Sequence, residues 1–103
     1  MEKKQEIKSI LIVGRRWFDK INGNTYHSSQ SFIDGDLKDQ VNFEYGYDDQ
    51  YKYSAFERLE KKNLIPLRST YENGMCESFR DYTERTGIKI NYTVSDVGRR
   101  KDL

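Results

Sequence analysis

The sequence predicts an α+β domain: an antiparallel sheet in β-β-β-α-α-β order with two helices packed on one face. Three observations predict it. Short β-branched or alternating segments fill residues 9–47, separated by Asn-Gly and Asp-Gly turns. At Asp48 and Asp49 the apolar period changes from two to that of a helix. A last alternating segment, IKINYTV, follows Gly87. A chain of 103 residues has room for one domain spanning 1–103, large enough to fold without a metal or a disulfide.

The elements can be justified in order. Residues 9–13, SILIV, are short and β-branched, as expected of a central strand buried on both faces, and the strand is expected to run on through Arg15 towards Phe18. Asn22 and Gly23 tolerate positive φ and turn the chain into a second strand over residues 25–33. That strand is polar: Tyr26, Ser28, Gln30 and Phe32 alternate with Thr25, His27, Ser29, Ser31 and Ile33. After the turn at Asp34, Gly35 and Asp36, a third strand sets Val41, Phe43, Tyr45 and Tyr47 against Asn42 and Glu44. With the helices on one face, Thr25, His27, Ser29, Asn42 and Glu44 are expected on the other, exposed or forming a dimer.

The first helix is expected over residues 50–62, with Asp48 and Asp49 at its positive end and Tyr51, Ala55, Phe56 and Leu59 on one face. Asn63 is its left-handed stop and Pro66 prevents resumption. Ser69 and Glu72 match a capping box for a second helix carrying Tyr71, Met75, Phe79 and Tyr82 and ending at Gly87. Residues 88–94 form the last strand, and residues 98–103 are expected to be a flexible basic tail.

Composition excludes several functions. Eighteen Lys and Arg nearly cancel 17 Asp and Glu, so the chain neither coats nucleic acid by bulk charge nor mimics it. One histidine and one cysteine leave no HExxH, CxxC or histidine pair, and no metal or cofactor is expected. Asp34, Asp36 and Asp39 have partial calcium-loop spacing but lack the glycine and distal glutamate of an EF-hand, so they read as a turn. The short apolar run neither spans a membrane nor makes a signal sequence, and a cytoplasmic protein is expected.

Two clusters suit recognition of a flat anion. RRWFDKINGNTYHS supplies Arg15, Arg16, Trp17, Asn24, Tyr26 and His27 on two neighbouring strands. FEYGYDDQYKY supplies Tyr45, Tyr47, Asp49, Gln50 and Tyr51 at the passage from strand to helix. Arginine meets phosphate, aromatic rings stack on bases, and amides and carboxylates fix orientation. Arg15 and Arg16 are assigned to phosphate, Trp17, Tyr26 and Tyr47 to stacking, and Asn24, His27, Asp49 and Gln50 to orientation. Because strand neighbours diverge, only one of the two arginines is expected in a single pocket. The alternative readings are an inhibitor that binds a protein through the same aromatics, a single-stranded nucleic-acid binder, and a metal-free phosphodiesterase using His27.

The segments RRWF, GNTYHS and YGYDDQY also resemble a pattern in small phage-encoded accessory proteins for which no activity is established. The resemblance covers about residues 10–53, and in that pattern a glycine often stands where this chain has Asp48. It implies a phage accessory protein in the host cytoplasm, with anti-defence action by sequestering a nucleotide-like ligand or by binding a host defence protein. It carries no catalytic residue across. A homo-oligomer is expected by analogy with sequestering proteins whose sites lie where subunits meet.

Overall fold

The computed structural model describes residues 7–46 and 50–103. Strands β1 (Ser9–Asp19), β2 (Asn24–Ile33) and β3 (Asp36–Tyr45) form an antiparallel meander, followed by α1 (Gln50–Lys61), α2 (Phe79–Thr86) and β4 (Lys89–Val97). The α+β class and element order are as the sequence predicts, but the sheet is mixed. Its order is β3-β2-β1-β4, and β4 runs parallel to β1. A two-helix crossover from β3 carries the chain back across the sheet, so the last strand enters beside β1 in the same direction. SILIV is therefore central, as expected, but buried on one side only: Ile10 and Ile12 are fully buried while Leu11 on the other side is 40% exposed.

Local chemistry sets the ends of the elements. Asp19 accepts from the amides of Ile21 and Asn22 at the first turn. Asp34 and Gly35 take φ of 50° and 88°, the two-residue geometry that matches strand twist. Asp34 Oδ1 then accepts from the Lys8 and Ser9 amides and ties the turn to the start of β1. Asn63 stops α1 at φ 58°, as predicted. The capping box at Ser69 does not form. Tyr71 N donates to Met75 O, Thr70 bridges to Cys76, and the cap falls nine residues later at Ser78, whose hydroxyl accepts from the Asp81 amide. Gly74, at φ 87°, favours this turn over helix.

Both helices lie on one face. The core beneath them holds Ile10, Ile12, Ile33, Tyr51, Ala55, Phe56, Leu59, Ile65, Tyr82 and Ile88. Contrary to expectation, this is also the face that carries His27, Ser29 and Glu44: His27 and Ser29 are each 2% exposed. The covered side of β2 is polar because α1 brings a polar partner to it. Arg58 donates to Asp39 (2.7 Å), Glu44 (3.0 Å) and Ser29 (3.0 Å), and His27 Nε2 donates to Glu44 at 3.1 Å. Buried polar groups are tolerable when they are bonded in this way. Among the described residues neither α-helix packs on the opposite face of the sheet.

Candidate functional site on the open sheet face

Register decides which side chains meet. On β1, Arg16 is opposite His27 on the helix side, whereas Arg15 and Trp17 pair with Ser28 and Tyr26 on the open side. Tyr26 in turn pairs with Tyr45 of β3. Between His27 and Ser29 the β2–β3 register slips: two residues of β3, Asn42 and Phe43, stand opposite Ser28 alone. A bulge of this kind re-aims side chains, and here it presents both Asn42 and Phe43 to the open face.

The result is an aromatic ladder across three strands. Trp17 stacks on Tyr26 with centroids 5.9 Å apart, Tyr26 stacks on Phe43 at 4.6 Å, and Tyr45 meets Tyr26 edge-on at 5.7 Å. Phe43 and Tyr45 remain 42% and 53% exposed. Such cross-strand pairs stabilise a sheet. They also leave ring surface available to a ligand. Asn24 Nδ2 donates to the Tyr26 hydroxyl at 3.5 Å.

The segment after β4 adds cations. Within residues 98–103, expected as a basic tail, a 3-10 turn over Arg100–Asp102 comes against the open face. Arg15 Nη1 donates to the Asp102 carbonyl at 3.2 Å, and the Arg100 guanidinium lies 4.4 Å from the Phe43 ring centroid. Beside the ladder is a recess of about 150 Å³, lined by Arg15, Ser28, Ser29, Gln30, Gln40 and Asn42 with Val13, Val41 and Leu103.

The sheet thus divides the residues singled out in the sequence. Arg15, Trp17, Asn24, Tyr26 and Tyr45 share the open face. Arg16, in register with His27, pairs instead with Asp96 at 2.7 Å. His27 lies under α1 beside Tyr51, which is 1% exposed and belongs to the core. Gln50 opens α1 and donates to Ser54. Tyr47 and Asp49 lie outside the described residues, as does the proposed capping by Asp48. Phe43, Arg100 and the amides of the recess were not selected from sequence: a bulge leaves no signature in simple alternation, and nothing in RRKDL marks a return across the sheet.

Among the described residues no group of three or more His, Cys, Asp or Glu side chains could hold a metal ion, and no helix is long and apolar enough to cross a membrane. No protein-family model, curated protein or solved structure matches the chain.

Proposed function

We propose that the chain is a binding protein that holds a nucleotide-like ligand on its open sheet face without turning it over. The observation that carries this reading is the half-buried Trp17–Tyr26–Phe43 ladder, with Phe43 and Tyr45 exposed at its β3 side, flanked by Arg15 and Arg100. Bases stack on aromatic faces, and guanidinium groups take phosphates. A base arriving beside Phe43 exchanges a cation–ring contact for a base–ring contact and releases Arg100 toward the phosphate. His27 supports binding over cleavage: it is 2% exposed, on the other side of the sheet, and bonded to Glu44. In the phage setting that the resemblance implies, such a protein acts stoichiometrically, sequestering a nucleotide signal of a defence system.

A second reading has its own observation. The ladder crosses three neighbouring strands, an arrangement that can take successive bases of a single strand. Single-stranded binding would weaken steeply with salt, whereas one nucleotide releases few counterions.

The test is to incubate the folded protein with an extract of phage-infected cells, remove unbound material, denature the protein and identify what is released by mass spectrometry. About one equivalent of an intact nucleotide per site is the expected result, with none retained by Trp17→Ala. If a protein partner co-purifies and no small molecule is released from an extract known to contain nucleotides, the ladder is a protein-binding surface instead.

A further inference from the structure

The recess beside the ladder has a chemistry distinct from the aromatic stack. Its polar side chains are three carboxamides, two hydroxyls and one guanidinium, with no Asp, Glu or Lys, and the chain-terminal Leu103 also lines it. Gln30 lies directly opposite Gln40 in the β2–β3 register. Gln40 Nε2 donates to Asn42 Oδ1 at 3.0 Å. That bond orients both amides and leaves Gln40 Oε1 as an acceptor beside Asn42 Nδ2 as a donor. The bulge joins this pair to the ladder, since Asn42 lines the recess and the next residue, Phe43, stacks on Tyr26.

Size restricts what can enter. About 150 Å³ corresponds to roughly five waters at ~30 Å³ each, and is about half the lower limit for pockets that hold drug-sized ligands. One ring system fits. The sugar and phosphate of a nucleotide would stay outside.

We propose that the recess reads the base of the nucleotide held by the open face, and that it selects adenine. The proposal rests on the nucleotide-binding reading above and deepens it. Adenine presents an N6 donor next to an N7 acceptor, the complement of the acceptor and donor left by Gln40 and Asn42. Guanine presents two acceptors there and is read best by two guanidinium donors. The one guanidinium of the recess, on Arg15, already donates to the Asp102 carbonyl.

The experiment measures binding of AMP, GMP, CMP and UMP by equilibrium dialysis to the wild-type protein and to Trp17→Ala, Gln40→Leu and Asn42→Leu, each checked for fold by circular dichroism. AMP should bind about tenfold or more tightly than the other three, within the range of one good bidentate base contact. Gln40→Leu and Asn42→Leu should each lower AMP affinity to about that of the other three nucleotides. Should a leucine variant fail to fold, Asn42→Asp keeps the side-chain shape but removes the Nδ2 donor assigned to adenine N7, and it should lower AMP affinity towards that of the other three nucleotides. Equal affinity for all four nucleotides, lost together in Trp17→Ala, would overturn base reading and leave the ladder as a nucleotide site. Binding of none of the four would overturn both.

Discussion

The ring of Tyr51 lies directly on the backbone of Gly14: a Cβ built on the glycine would stand 2.6 Å from Tyr51 Cδ2 and 2.9 Å from Cε2. Glycine is needed here for close approach, because α1 packs its first buried aromatic against the middle of β1. The ring is fully enclosed and has little room to yield. Gly14→Ala should therefore destabilise the fold by about 1–3 kcal/mol, the usual range for overpacking. Urea denaturation would show it, and an unchanged midpoint would mean that the ring does not sit on this strand.

Acid should weaken the helix–sheet contact through Asp39. Burial alone would raise the pKa of this carboxyl, but hydrogen bonds and charge from Lys62 and Arg58 outweigh it and hold the value below the ordinary 3.8. A carboxyl with a depressed folded-state pKa contributes stability that is fully present above the unfolded value and is lost as pH falls through the folded one. The wild-type unfolding midpoint should thus hold down to about pH 5 and drop below about pH 4. Asp39→Asn should be less stable than wild type at pH 7, with the gap narrowing as pH falls below about 4. A gap of the same size at neutral and at acid pH would show that ionisation of Asp39 plays no part.

Ser31 is a defect in an otherwise bonded interior. It is fully buried on the covered face, and among the described residues its hydroxyl has no hydrogen-bond partner. An unmade hydrogen bond in the interior costs about 1–3 kcal/mol. Ser31→Ala removes the hydroxyl and creates almost no cavity. The variant should be as stable as wild type or more stable by about 1 kcal/mol, as read by thermal denaturation. Clear destabilisation would reveal a bonded partner, such as a buried water.

Arg100 should behave as a phosphate contact once a nucleotide is present. Arg100→Ala should weaken nucleotide binding and reduce the slope of log affinity against log salt by about one. Isothermal titration at several salt concentrations measures both. Tighter binding with an unchanged slope would instead make Arg100 a competitor for the face of Phe43.

Element order and most element positions were legible in the sequence, because alternation, Asn-Gly and Asp-Gly turns, Asn63 and Gly87 each act over a few residues. What could not be read was decided at long range. The polarity of Thr25, His27 and Ser29 suggested a wet face, yet Arg58, about thirty residues away (29 from Ser29), turns that face into an interior network. Alternation also set Asn42 and Phe43 on opposite sides, whereas one bulge opposite Ser28 brings both to the open face. The candidate site was half legible. RRWF and NTYH do supply Arg15, Trp17, Asn24 and Tyr26 to one surface, but period two sends Arg16 and His27 to the other.

The parallel pairing of β1 with β4 also governs how the molecule is assembled. The three-stranded meander closes through tight turns, so its contacts are local and form early. Arg16 and Asp96, by contrast, are 80 residues apart in the chain and meet only when the last strand arrives. Contacts of that separation slow folding. Until β4 docks, one edge of β1 presents unpaired amides and carbonyls next to Ile10 and Ile12. A bare edge of this kind is a template for pairing with another chain. The last strand to arrive therefore replaces the bare edge of isoleucine-rich β1 with that of β4, whose residues are mostly exposed and polar.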